Sequence, residues 1–195
     1  MRKRVYTVIL GLSVGSMAFA YTWNTQGNIG ISKVLTVNSI NASNQHGYSS
    51  SSTPLLLSLQ EYYQFPKNSV LNNLWVGGGA EYSSIQNYNF NGGYQQMYAT
   101  VPIFAAARLN ANVSGSALNP YLEGRVGLNA PLASQMAQPV GIGGYAGLGV
   151  GISQNPNYQQ GFNFELLFEI SQIIMQNQSL FTTKIGATLG YNFSV

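Results

Sequence analysis

Along most of the chain, apolar and polar residues change places at every step. Residues 182–195 split into Thr183, Ile185, Ala187, Leu189, Tyr191, Phe193 and Val195 on one face and Thr182, Lys184, Gly186, Thr188, Gly190, Asn192 and Ser194 on the other. A period of two marks a strand whose faces meet different surroundings. Residues 162–171 repeat it, with Phe162, Phe164, Leu166, Phe168 and Ile170 opposite Asn163, Glu165, Leu167, Glu169 and Ser171. The pattern recurs in 140–152, 120–129, 96–109 and 74–83; in 140–152 the apolar residues alternate with glycines and Tyr145. Pro102 predicts a bulge within 96–109, because it has no N–H to give to a ladder.

Two weaker strands come first. In 53–65, Leu55, Leu57, Leu59, Tyr63 and Phe65 share a face with Glu61. Either a bulge near Gln60 slips the register, or Glu61 lies beyond the apolar band. Within 22–37, Ile29 and Ile31 oppose Asn28, Gly30 and Ser32, and Lys33 falls out of phase. The pattern therefore predicts eight strands, joined by polar, turn-rich pieces at 38–53, 66–73, 86–93, 110–119, 130–139, 153–160 and 173–179.

At 195 residues the chain has the length of one domain, and only 7% of it is charged, far below the usual quarter. No stretch of the mature region supplies the roughly 20 apolar residues of a spanning helix. The first twenty residues read as a cleaved signal peptide: Arg2, Lys3 and Arg4, an apolar run from Val5 to Val14, and an A-x-A exit at Ala18 and Ala20. Residues 21–195 are then a single β-barrel domain. Taking three of the eight basic residues away leaves five against five glutamates and no aspartate, so the mature chain is formally neutral. A nucleic-acid partner has no support. Without cysteine, stability rests on the sheet rather than on disulfides.

Alternation alone does not say which face is inside. The charges do: in the six clear strands Glu81, Arg108, Glu123, Arg125, Glu165, Glu169 and Lys184 all fall on the polar face. A water-soluble barrel would send them outward. An uncharged apolar face is what lipid requires, since an Arg or Lys there at mid-bilayer costs roughly 2–4 kcal/mol. The charges also pair plausibly across strands, Glu81, Arg108 and Glu123/Arg125 on consecutive ones and Glu165/Glu169 beside Lys184. Aromatics such as Tyr63, Tyr82, Tyr191 and Phe193 gather toward strand ends, as interfacial girdles do. The expected fold is an all-β, antiparallel up-and-down transmembrane β-barrel of eight strands.

On these residues the chain resembles the small eight-stranded outer-membrane barrels of Gram-negative bacteria, the OmpA/OmpX-type class. The resemblance covers the mature chain. Its most specific part is the ending, where Thr188, Gly190, Phe193 and Val195 resemble the family's C-terminal assembly signal; the family usually ends on Phe, and this chain ends on Val. It implies a bacterial outer-membrane location, contact with outer-membrane lipid and lipopolysaccharide, and handling by the barrel-assembly machinery. With a periplasmic N-terminus, the longest loop faces outward and could meet an extracellular ligand near His46 and Tyr48.

Catalysis finds little material. His46 is the one histidine, set beside the serine run 49–52, and an arrangement with Glu61 is conceivable, but no aspartate exists to orient it. Metal ligation lacks Cys and Asp. The glycine runs 77–79 and 147–151 sit in strands, where close packing or sheet curvature accounts for them better than phosphate binding. No cofactor is expected. The inward charges could line a narrow pore for small solutes, but the large Trp75, Tyr98, Phe104, Tyr121 and Tyr145 on that face favour a filled lumen. The expected role is structural or surface-exposed. A small pore, and a soluble periplasmic barrel holding an apolar ligand, are the alternatives.

Overall fold

A computed structural model describes residues 23–40, 45–48, 53–65, 70–89, 95–111, 113, 116–134, 140–154, 160–175 and 178–194. The signal-peptide residues Ala18 and Ala20 and the terminal Val195 lie outside the described residues. All elements are strands: β1 (Trp23–Ile40), β2 (Gln45–Tyr48), β3 (Leu55–Gln64), β4 (Leu74–Asn89), β5 (Gln95–Asn110), β6 (Leu118–Ser134), β7 (Val140–Gly141), β8 (Gly143–Gln154), β9 (Gln160–Met175) and β10 (Gln178–Ser194). Eight are long and pair antiparallel with their neighbours, and β1 closes on β10. The short β2 extends β1 between Val37 and Ile40, and β7 caps the end of β9.

The registers fix the barrel's geometry. From Val34 the paired residues run through Lys184, Glu169, Gly147, Arg125, Ala106, Gly77 and Tyr62 and return to β1 at Asn24. The circuit drops 34 − 24 = 10 residues, a shear of ten. Eight strands with that stagger tilt roughly 40° and enclose a lumen that side chains can fill.

The apolar face points outward. Leu148 is 53% exposed, Val126 65%, Phe162 56% and Leu189 56%, while Tyr62, Trp75, Phe104 and Tyr145 pack inside. At the end where β1 begins, Trp23, Tyr63 and Phe65 stack edge to face, as do Phe162 and Tyr191, whose ring centroids are 5.2 Å apart. Tyr82 is not part of that girdle. It sits opposite Leu57, in the middle of β4.

Several sequence expectations need correction. The bulge near Gln60 is absent, since β3 pairs without a slip on both sides, and the other alternative fits: Glu61 faces outward past Leu59, at the girdle end. Lys33 keeps phase and also faces outward; the irregularity comes after it, between Val34 and Thr36. Pro102 stays in register with Asn129, and the shift on β5 falls between Ala99 and Thr100 instead. The strands also outrun the apolar pattern. Gln86 to Asn89, read as turn, pair with Tyr98 to Gln95, and only residues 176 and 177 separate β9 from β10.

Candidate functional site: the lumen

Alternation drives one residue in two inward, and where that residue is charged its only available partners are on other inward faces. All seven sequence-selected charges are buried in the lumen, none more than 4% exposed. Arg108 sits opposite Glu123 in the β5–β6 ladder and binds it at 2.6 Å. Glu123 also takes Arg125 Nε at 2.6 Å. Arg125 reaches across to Glu165 on β9 and, at 3.5 Å, to Glu81 on β4. Lys184 pairs with Glu169 at 3.3 Å. Glu165 thus turns to Arg125 rather than to Lys184, and Glu81 faces Arg125 rather than Arg108, because the shear lifts each strand relative to the last.

Aromatic side chains complete the shell. Tyr121 donates to Glu165 at 3.0 Å and Tyr145 to Glu169 at 2.5 Å. The Arg108 guanidinium lies 4.1 Å from the Tyr121 ring centroid and 4.5 Å from that of Tyr62, and Arg125 lies 5.1 Å from that of Phe104. Such stacking adds to a desolvated pair. Among the described residues neither Glu81 oxygen has a hydrogen-bond donor. Four glutamates face three cations here, so one carboxylate is in excess.

Two layers flank the charges. Toward the girdle end, Gln26 donates to Asn28 at 2.8 Å and to Asn163 at 3.2 Å, and Asn163 donates to Asn192 at 3.0 Å. Toward the other end, Val34, Val37, Ile173 and Leu180 are buried inside. Sequence reasoning passed over both layers. The amides carried no charge to mark them, and Ile173 lay in a stretch read as turn.

Of the assembly-signal residues, Thr188 and Gly190 face the lumen and Phe193 faces outward. A side chain at Gly190 would collide with the amides of Asn28 and Asn163, a packing reason for glycine there. The conceivable His46–Glu61 arrangement fails on register. His46 pairs with Ser39 and Glu61 with Thr25, separated by 39 − 25 = 14 residues of β1, roughly 45 Å along the strand. The side chains of His46, Tyr48 and Tyr98 lie outside the described residues.

No protein-family model matches the chain, and no curated protein matches it. Solved structures do. Neisserial surface protein A superposes with a TM-score of 0.59 at 12% identity, covering 89% of this chain and 97% of that one. The outer membrane protein AlkL, determined in DMPC bilayers, gives 0.56 at 12% identity over 89% and 92%. The outer membrane protein OprG from Pseudomonas aeruginosa gives 0.52 at 13% identity over 89% and 97%. At these identities the likeness is one of fold: the chain has the fold of the small eight-stranded transmembrane barrels of bacterial outer membranes.

Proposed function

We propose that this chain is an integral protein of a bacterial outer membrane with a structural or surface-exposed, non-catalytic role, its lumen closed by its own side chains. The observation that carries this reading is the sorting of character across the wall. Leucine, isoleucine, valine and phenylalanine stand exposed on the outside, and seven ionisable groups are buried within. In water that arrangement would expose a far larger apolar surface than monomeric soluble proteins tolerate. In lipid it satisfies every strand edge and hides every inward charge. The soluble alternative needs the opposite sorting. The shared fold supports the location, and the export signal and C-terminal signal read from the sequence agree with it.

The experiment is fractionation followed by electrophoresis of boiled and unboiled detergent extracts. Recovery in the outer membrane with a heat-dependent mobility shift is the expected result; recovery in the soluble periplasm with no shift would sink the reading.

A narrow pore is the second reading, favoured by the excess carboxylate at Glu81 in an otherwise paired column. Planar bilayers separate the two. A filled lumen gives no regular conductance steps, whereas a pore lined by that carboxylate gives small, cation-selective ones.

A further inference from the structure

The outer wall is not uniform where the barrel closes. At the β1–β10 seam the small outward residue Ala187 leaves a shallow groove of about 370 Å³ between Ile29, Ile31, Leu189 and Phe164, with Leu55 also lining it. It lies on the lipid-facing side and crosses β3, β1, β10 and β9 at the height of Ile29 and Ile31, an apolar recess that a hydrocarbon chain can occupy. Immediately beyond Ile31 on the same face of β1, two residues and roughly 7 Å further along, stands Lys33. Lys33 is exposed, and it is the one outward-facing cation among the described residues. Its long stem can lie along apolar surface and carry the ammonium to the head-group level.

The lone outward cation on a predominantly apolar wall whose other charge, Glu61, lies at the girdle end, set beside an apolar groove, has the charge and spacing of a lipid site. We propose that this seam holds one anionic phosphate-bearing membrane lipid, an acyl chain in the groove and the phosphate on Lys33. The inference rests on the membrane reading given above. It would make the barrel's closing seam a place where lipid acts as a ligand rather than as solvent.

The test uses the full barrel purified in detergent, with native mass spectrometry counting retained phosphatidylglycerol against phosphatidylcholine of the same chain length. Wild type and Lys33→Arg should each keep one phosphatidylglycerol in preference to phosphatidylcholine. Lys33→Gln should weaken that preference by ~5-fold, since one basic residue near a charged surface contributes about 1 kcal/mol. Ala187→Leu, which fills the groove without touching a charge, should abolish retention of either lipid. Equal retention of both lipids by wild type, or unchanged retention in Lys33→Gln or in Ala187→Leu, would overturn the proposal. A retained heat-dependent mobility shift shows that each variant still forms the barrel. A shift without lipid preference therefore removes only this site, while absence of the shift in wild type removes the membrane reading beneath it.

Discussion

At the scale of single residues, the lumen is organised by what is missing. A side chain at Gly149 would run into the Glu165 carboxylate, and one at Gly151 into the Tyr121 ring. β8 yields its inward positions so that larger groups from β6 and β9 can fill the space. Within the charge network, position decides worth. Glu123 neutralises two arginines at 2.6 Å, whereas Glu81, among the described residues, has one ion pair, at 3.5 Å, and no hydrogen-bond donor. Removing one partner of a buried, well-made pair costs about 3–5 kcal/mol, because the remaining charge stays buried. Glu123→Gln should therefore lower unfolding stability in detergent micelles by about that amount. Glu81→Gln, which removes the surplus charge, should leave it unchanged or raise it. Equal losses in urea titrations of the two variants would mean that the carboxylates share the load evenly. The seven charges were legible in the sequence because ionisable groups are rare here and, in the six clear strands, fall on one face. Two of their pairings, Arg108 with Glu123 and Lys184 with Glu169, were legible too, but the reach of Arg125 to β4 and β9 was not, since it depends on a stagger that no local pattern reveals.

At the scale of the strand, the alternation reports the depth of the apolar belt rather than the length of the ladder. β4 continues for several residues past its last apolar outward position, and Gln86 to Asn89 still pair with β5. Hydrogen bonding needs only an extended partner, so polar strand ends read as turns. Pro102 shows a related limit. Its residue type signals a lost donor, but the register holds at Asn129, and the shift falls two to three positions away at Ala99 and Thr100. Where the belt itself is concerned, the sequence is sufficient. Leu148, in mid-strand and 53% exposed, is a lipid contact on this reading. Leu148→Arg should cost roughly 2–4 kcal/mol and reduce the heat-shifted fraction in outer-membrane preparations. In a soluble barrel, the same change at an exposed position would cost little, so an unaffected folded fraction would argue against the lipid contact.

At the scale of the whole molecule, one pairing decides whether the sheet is open or closed. β1 and β10 run in register from Asn24 opposite Ser194 up to Val34 opposite Lys184, which removes both edges of the sheet. The chain has no cysteine, so an engineered pair gives a clean report. Ile29→Cys with Leu189→Cys places thiols directly opposite and should oxidise to a cross-link that keeps the termini joined on boiling. Ile29→Cys with Ile185→Cys, four residues out of register, should not. Cross-linking of the second pair with equal efficiency would indicate a slipped or open seam.

The register irregularities, after Val34 on β1, after Ser83 on β4, between Ala99 and Thr100 of β5, and along β9 between its pairings with β7 and β8, all lie toward the end away from the aromatic girdle. Below them every ladder is regular, and an added or lost residue would turn a strand's lipid-facing side into the lumen. Above them the ladders have already absorbed an extra residue, Leu35 on β1, one after Ser83 on β4 and Leu132 on β6, and the rule is relaxed. The bulges act as a firebreak: length changes in the upper wall and its loops stop there. The surface turned away from the girdle is thus free to diverge in sequence, while the belt and its buried charges keep their phase.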